Sequence, residues 1–163
     1  MNHLYERLSS DPRAILRVAS FNRAATIIGY VAYPLLLVLL AIFDISALAL
    51  RIAVPASGFM IVSLFRYIYN EPRPYEADPS RPPLIPKTTK GKSYPSRHTF
   101  CMFMIAFCWL SWIPWGVAPG CLLSILAIGM AVSRVALGVH YPKDVIAGFV
   151  AAVLFSLLGY LLF

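Results

Sequence analysis

The feature that most constrains this chain is the distribution of its charges, which occur in short segments between long apolar runs. Residues 24–43, 99–133 and 145–163 contain no Asp, Glu, Lys or Arg, and residues 46–69 contain only two arginines. A helix of about 20 apolar residues crosses the ~30 Å hydrocarbon core of a bilayer. Charged residues make up 13% of the sequence and apolar residues 60%, whereas about a quarter of the residues in a soluble domain are charged. The sequence therefore predicts an integral membrane protein.

The apolar runs predict an all-α fold, a polytopic membrane helical bundle with about five transmembrane helices. The run over 99–133 is interrupted by Pro114 and by Pro119-Gly120, and we therefore divide it into two spans joined by a tight turn. The second of these spans continues to the neighbourhood of His140. The runs over 24–43, 46–69 and 145–163 complete the set of five.

The segment before the first span has a mixed pattern. Residues 1–23 alternate apolar side chains with four arginines, which is typical of an amphipathic helix lying on the membrane surface. Ser10-Asp11-Pro12 indicates a helix start within it, because a capping side chain is followed by proline in the first turn. We therefore predict a surface helix over 1–23.

One arginine lies at the opposite end of the predicted bundle from the other basic residues. Arg51 follows Asp44 closely, just inside the second span. A charge at this depth either snorkels to the interface or pairs with an opposite charge. We expect one of these roles for Arg51, with Asp44 as the partner, rather than a role in catalysis.

Residues 71–95 differ from the rest of the chain because seven prolines and several charges fall in this short segment. Proline disrupts helices and sheets, so little regular structure is expected here. A long irregular loop in a compact protein is often functional. We predict a Pro-rich active-site loop over 71–95, within a single membrane-embedded domain over 1–163.

Counting the spans places three polar clusters on one face of the membrane. The second predicted span ends near Arg66, the third begins near His98, and the fourth ends near Arg134. Because successive spans alternate in direction, these three ends lie on the same side. The set that converges there consists of Arg66, Arg73, Ser96, Arg97, His98, Arg134, His140 and Asp144.

The residue types in this set indicate phosphate chemistry. Several guanidinium groups around one point bind a dianionic phosphate and stabilise its transfer by charge-assisted hydrogen bonds. Asp144 is close enough in sequence to His140 to orient its imidazole as a nucleophile or base, and His98 provides a second group for acid catalysis. A lone carboxylate does not indicate a Mg²⁺ or two-metal site. We therefore expect no metal and no cofactor. An alternative interpretation is a snorkelling arginine beside an interfacial histidine and aspartate.

The excess of basic over acidic residues, 14 against 7, could indicate nucleic acid as a partner. The basic residues lie at the ends of apolar runs, however, which fits lipid head groups and phosphate ligands better. We therefore expect the bilayer and a membrane lipid phosphate as partners and no nucleic acid. The sequence gives no indication of an oligomeric state.

Three segments of the polar set resemble the signature motifs of the type-2 phosphatidic acid phosphatase superfamily, which shares its site with vanadium haloperoxidases. The segments are Arg66-x6-Arg73-Pro74, Pro95-Ser96-Arg97-His98 and Ser133-Arg134-x5-His140-x3-Asp144. They occur in the family's order and cover about half of the chain. The resemblance implies a helical bundle, usually with six spans in membrane members, and catalysis without a metal.

The resemblance also implies a role for each matched residue. His140 would attack phosphorus to form a phosphohistidine, Asp144 would hold His140, and His98 would protonate the leaving alcohol and then activate water. The phosphate would be bound by Arg66, Arg73, Ser96 and Arg134, and by the backbone N–H of Arg97.

The chain departs from the family pattern at three points. Arg66 stands where the first motif usually has Lys, and Arg97 stands where the second motif usually has Gly. The Arg97 side chain could contact a second phosphate or a head group, or it could reach solvent. The predicted spans number five, so the usual first span is missing or is reduced to the surface helix.

These expectations lead to an integral membrane phosphatase that hydrolyses a lipid phosphate monoester or diphosphate. A lipid phosphotransferase using the same phosphohistidine and a non-catalytic lipid-binding protein are the alternatives. A haloperoxidase fits less well, because those relatives are usually soluble.

The basic residues also predict the orientation in a cell membrane. Outside the predicted site, they fall on the catalytic side, at Arg7, Arg13, Arg17, Arg23, Arg81, Lys87, Lys90, Lys92 and Lys143. The positive-inside rule therefore places the active site on the cytoplasmic face. The opposite side is left with Arg51 and Asp44.

Overall fold

The computed structural model describes the backbone of residues 2–112 and 115–162. Seven helices and no strands occur within these ranges, which confirms the all-α prediction. The helices are α1 (Asn2–Ser9), α2 (Pro12–Phe43), α3 (Ile45–Tyr69), α4 (Pro74–Ala77), α5 (Arg97–Leu110), α6 (Val117–Ala136) and α7 (Pro142–Leu162).

Four helical segments in the described ranges are long and apolar enough to cross a membrane: Pro12–Phe43, Ile45–Ala77, Val117–Ala136 and Pro142–Gly159. The fold is thus a polytopic helical bundle, as expected. The fifth predicted span corresponds to α5, which has 14 residues and is about 21 Å long at ~1.5 Å per residue. It is too short to span a ~30 Å core alone.

Helix α5 is short because it lies inside the bundle. It packs against α2, α3, α6 and α7, and Phe100, Met104 and Ala106 are almost fully buried. Trp109, near its end, donates from Nε1 to the carbonyl of Ala32 on α2 at 3.1 Å. Because other helices surround α5, its ends are held at fixed depths by packing rather than by contact with lipid head groups.

The run over 99–133 is divided into two helices, as predicted, because α5 ends at Leu110 and α6 begins at Val117. The residues Pro119-Gly120 lie just inside α6 rather than in the connection. Helix α6 begins at Val117, so Pro119 lies in its first turn, where the missing N–H has no helical partner to lose. Gly120 allows α6 to approach α5, because a Cβ there would lie 2.6 Å from Cγ of Leu110. Pro114, the other predicted break, lies outside the described residues.

The predicted surface helix over 1–23 is wrong in its extent. The structure has the short helix α1 and then the 32-residue α2, which begins at Pro12 and continues without interruption through the first span. Asp11 caps α2 by accepting a hydrogen bond from the Arg13 N–H at 2.9 Å, so the helix start at Ser10-Asp11-Pro12 is confirmed. At about 48 Å, α2 exceeds the bilayer core, and its arginine-bearing first turns extend beyond the hydrocarbon.

The far ends of α2 and α3 meet at Asp44, which is the only residue between them. Its carboxylate accepts hydrogen bonds from Ser46 Oγ at 2.7 Å and the Ala47 N–H at 3.3 Å, so it caps α3. Arg51 does not pair with it. The Arg51 guanidinium instead donates from Nη2 to the carbonyl oxygen of Ser111 at 2.9 Å and to its hydroxyl at 3.1 Å, joining α3 to the end of α5.

The segment between α3 and α5 is irregular apart from the four-residue α4, as its prolines predict. It is tied to the bundle at several points. Leu84 N–H donates to the carbonyl of Leu137 at 3.1 Å, and Ser93 N–H donates to that of Glu71 at 2.9 Å. Tyr5 of α1 donates from its hydroxyl to the carbonyl of Pro82 at 2.6 Å. The loop therefore closes over the end of the bundle where α3, α5, α6 and α7 meet.

Candidate active site

The site is built around the short turn between α6 and α7. Helix α6 ends at Ala136, and α7 begins at Pro142. Gly138 has φ +71, a left-handed conformation that glycine adopts without strain. The N–H groups of Val139 and His140 both donate to the carbonyl of Arg134, at 3.1 and 3.3 Å. The turn thereby fixes the position of His140 relative to the last turn of α6.

Asp144 lies in the first turn of α7 and holds His140. Its Oδ2 atom is 3.1 Å from Nδ1 of His140 and also accepts hydrogen bonds from Ser93 Oγ at 2.5 Å and from the Tyr141 N–H at 3.0 Å. A carboxylate is an acceptor, so Nδ1 carries the proton and Nε2 of the neutral ring keeps its lone pair. His140 is therefore prepared to act through Nε2.

The surroundings of His140 keep its imidazole neutral. Only 2% of the residue is exposed, and burial lowers its pKa to about 4, with the hydrogen bond to Asp144 acting in the opposite direction. Arg73 and Arg134 nearby also lower the pKa. A neutral ring with an available nitrogen lone pair is the form that can attack an electrophile.

Of the three arginines in the first and third motifs, Arg66 and Arg73 donate hydrogen bonds to backbone carbonyls. Arg73 donates from Nε to Gly91 at 3.0 Å and from Nη1 to Val139 at 3.2 Å, so it links the loop to the residue before His140. Arg66 donates from Nη1 to the carbonyls of Ser93 and Pro95. Both side chains are buried, and their positions are fixed by the same segment that carries Ser93.

Arg134 differs from these two arginines. It is 5% exposed, and its Nε atom is buried without a hydrogen-bond partner among the described residues. An ionised group buried in this way is costly unless an anion compensates it. The donor set of Arg134 is therefore suited to an anion that is not part of the chain.

The start of α5 places Ser96 and Thr99 beside Asp144. The N–H of Ser96 donates to the carbonyl of Asp144 at 2.8 Å, and Ser96 Oγ accepts a hydrogen bond from Thr99 Oγ1 at 3.0 Å. Both residues are fully buried. Gly148 on α7 permits this approach, because a Cβ there would lie 2.5 Å from the carbonyl oxygen of Ser96.

The two residues that follow Ser96, Arg97 and His98, have different surroundings. His98 is half-buried and lies within electrostatic range of Arg134 and His140. The Arg97 side chain is exposed, and its guanidinium carbon lies 5.2 Å from the centroid of the Phe59 ring on α3. Arg97 thus packs on an aromatic face at the rim, while its backbone remains at the head of α5.

The structure brings all eight predicted site residues to one end of the bundle and adds two that the sequence analysis missed. Ser93 bonds directly to Asp144, and Lys87 lies in the loop near Arg73 and Arg134. Ser93 lies just before Pro95-Ser96, and this proximity to a motif was the only signal for it. In the described part of the chain, no three His, Cys, Asp or Glu side chains form a metal-binding group.

This chain is similar in sequence to a bacterial protein. The chain is 31% identical over 125 residues to a protein of Escherichia coli (strain K12) described as "Putative undecaprenyl-diphosphatase YbjG". The match covers 74% of this chain and 61% of that relative, so the chain spans less than two thirds of the relative's length.

Two solved structures are similar in fold. LpxE of Aquifex aeolicus has a TM-score of 0.73 at 24% identity, with 92% of this chain and 87% of that chain covered. A transmembrane phosphatidylglycerolphosphate phosphatase of Bacillus subtilis has a TM-score of 0.56 at 19% identity, with 98% and 90% covered. The sequence profile of the PAP2 superfamily matches residues 44–163, which include every predicted site residue. The chain belongs to the PAP2 superfamily.

Proposed function

We propose that this protein is an integral membrane phosphatase that hydrolyses a lipid phosphate monoester or diphosphate through a phosphohistidine at His140. The observation that carries the proposal is the buried Arg134 guanidinium with an unpartnered Nε, next to a histidine whose Nδ1 is held by Asp144. Such a pairing offers an anion site and a nucleophile at the same point. The similarity to the relative described as "Putative undecaprenyl-diphosphatase YbjG" supports the phosphatase part of the proposal.

In the first step, His140 Nε2 attacks phosphorus, and the P–N bond forms. The bond that breaks joins phosphorus to the leaving oxygen, which is the lipid oxygen of a monoester or the bridging oxygen of a diphosphate. The leaving oxygen takes a proton from His98, which holds that proton once the bound phosphate offsets the positive charges of Arg134 and the other cations nearby. Arg134, together with the donor atoms of Arg66 and Arg73 not bonded to carbonyls, stabilises the charge on the equatorial oxygens. Asp144 stabilises the positive charge that develops on the imidazole.

In the second step, water attacks the phosphohistidine, and His98 accepts the proton that water loses. The P–N bond breaks, inorganic phosphate leaves, and His140 returns to its neutral form with Nδ1 still bonded to Asp144. The same His98 thus serves as acid in the first step and base in the second, which keeps the proton balance. No metal takes part, because cationic side chains provide the charge stabilisation.

The substrate class follows from the position of the site within the bundle. The groups that bind phosphate lie at the ends of spans, while the helices below them expose apolar side chains such as Leu64, Ile68 and Val132. A lipid can therefore keep its tail in the bilayer while its phosphate reaches His140.

The test is phosphate release in detergent from phosphatidate, phosphatidylglycerophosphate and a polyprenyl diphosphate, each with EDTA present. We expect release from at least one lipid, inhibition by vanadate, and loss of release in His140→Ala. Vanadate mimics the five-coordinate phosphoryl group that such a donor set favours. Full activity in His140→Ala, or activity that EDTA abolishes and Mg²⁺ restores, would refute the proposed mechanism.

We also propose that the protein lies in a cell membrane with its site on the cytoplasmic face. Helix α2 leaves the site end and α3 returns to it, so Arg13, Arg17 and Arg23 in the first part of α2 lie on the site side. Arg51 and Asp44 lie at the other end of these two helices. This asymmetry matches the positive-inside rule.

A further inference from the structure

The Pro-rich loop carries a lysine whose environment differs from that of its neighbours. Lys87 is half-buried, and no carboxylate or carbonyl in the described part of the chain pairs with its ammonium group. Other lysines at this end have partners: Lys143 bonds to Glu71 at 2.5 Å, and Lys92 lies 4.8 Å from the centroid of the Tyr67 ring. Lys90 is exposed. An ammonium group without a partner in the chain has its donors available for an anionic ligand.

The loop around Lys87 is held in place from both sides. Before it, Leu84 bonds to Leu137, and Leu84 and Ile85 pack against a cluster that includes Leu137 and Val139. After it, Thr89 accepts a hydrogen bond from the Tyr75 hydroxyl at 2.5 Å. The backbone on either side of Lys87 is therefore fixed relative to the turn that carries His140.

Beyond Lys87, hydrogen bonds at Gly91 join the loop to Arg73, the second arginine of the first motif. Gly91 donates its N–H to Glu76 Oε1 at 2.7 Å, and its carbonyl accepts the bond from Arg73 Nε at 3.0 Å. Gly91 has φ +59, a conformation that suits glycine at this turn. Glu76 Oε1 also accepts a hydrogen bond from the Arg73 N–H at 3.1 Å, and no ion pair joins Glu76 to Lys87 among the described residues.

Lys87 lies within electrostatic range of the arginine cluster. Burial lowers the pKa of Lys87, and the nearby Arg73, Arg134, Arg66 and Arg97 lower it further. Lys87 also lies within electrostatic range of His98. Like charges held together in this way repel each other, and a multiply charged anion between them relieves the repulsion.

We propose that Lys87 binds the second phosphoryl group of a lipid diphosphate, and that this protein acts on diphosphates in preference to monophosphates. The inference rests on the proposed function. Arg66, Arg73 and Arg134 provide donors for the phosphoryl group that His140 attacks. Lys87 adds a further cation beside these three arginines. A lipid diphosphate carries more negative charge than a monoester. The Arg97 side chain packs on Phe59, which leaves Lys87 as the cation available to the second phosphoryl group.

The experiment compares binding of two soluble probes, methylenediphosphonate and inorganic phosphate, to the detergent-solubilised protein by calorimetry. Lys87→Ala is expected to weaken diphosphonate binding about 10- to 100-fold, the effect of one lost hydrogen bond to a charged group, and to weaken phosphate binding much less. Lys87→Arg keeps the charge and should retain most of the affinity. Lys90→Ala removes the same charge from the same loop and should bind both probes like the wild type.

Unchanged diphosphonate affinity in Lys87→Ala would overturn the proposal, as would an equal loss for both probes or an equal effect of Lys90→Ala. A wild-type protein that binds neither probe would overturn it as well. Thermal unfolding of each variant checks that the fold is retained. Because binding is measured without turnover, a protein that binds diphosphonate through Lys87 but releases no phosphate from any lipid would contradict the proposed function alone.

Discussion

His140 Nδ1 lies 3.1 Å from Asp144 Oδ2, and both residues are almost completely excluded from solvent. The carboxylate fixes the tautomer in which Nε2 is free, and it stabilises the charge that the ring acquires on attack. Asp144→Asn should therefore lower kcat at least about 100-fold while changing KM little. Steady-state phosphate release checks this. A variant with near wild-type kcat would show that Asp144 does not orient the nucleophile.

The burial of His140 predicts a pH dependence of stability. Its pKa falls to about 4 in the folded protein, from an ordinary value of ~6.5. Between these values the unfolded chain binds a proton that the folded chain does not, so stability falls as the pH drops below about 6.5 toward 4.

We expect wild type to lose more thermal stability between pH 7 and pH 5 than His140→Gln does, with no difference between the two in their change from pH 7 to pH 8. Thermal unfolding in detergent measures both. His98 is present in both proteins, so the difference between their losses of thermal stability is due to His140. Equal losses on acidification would contradict the assignment of a neutral, buried His140.

Ser93 is predicted to act through Asp144. Its hydroxyl donates to Oδ2 at 2.5 Å and lies 3.4 Å from His140 Nδ1, so it helps to hold the carboxylate beside the ring. Ser93→Ala should reduce kcat about tenfold, as expected for one lost hydrogen bond to a charged group. Ser80→Ala removes a comparable loop hydroxyl, which bonds to Asp78 and not to Asp144 or His140, and should leave kcat unchanged. Identical kinetics for the two variants would argue against a positioning role for Ser93.

The orientation can be tested with a single cysteine at Lys90, which is exposed in the loop. Lys90→Cys is prepared with Cys101, Cys108 and Cys121 replaced. A membrane-impermeant thiol reagent added to intact cells should not label it, whereas labelling should occur after lysis. Labelling before lysis would place the loop, and with it the site, on the outer face.

The fold was largely predictable because charge-free runs mark spans directly. The limits of that signal appear at α2. The apolar run begins at residue 24, but the helix begins at Pro12, because nothing between these points breaks a helix and arginine side chains at its end reach the interface. Helix α5 shows the converse: its apolar sequence predicts a span, yet packing inside the bundle lets it remain short.

The candidate site was predictable where residues fall in motifs at the ends of spans, because span direction alone brings those ends together. Ser93, Lys87 and the partner of Arg51 were not predictable. Their contacts join residues far apart in sequence: Ser93 with Asp144, and Arg51 with Ser111. Loop conformation decides the first contact and the packing of α3 against α5 decides the second, and no local pattern encodes either.

The central claim, a phosphohistidine at His140, is tested most directly by trapping it. His98→Ala is mixed with a ³²P-labelled aryl phosphate, whose leaving group needs no protonation, and the reaction is quenched in alkali within milliseconds to seconds. Without His98 to activate water, the phosphoenzyme should accumulate. We predict acid-labile, alkali-stable label on the peptide containing His140, and none in the double variant with His140→Ala. Absence of label during turnover, or label on another residue, would contradict the account.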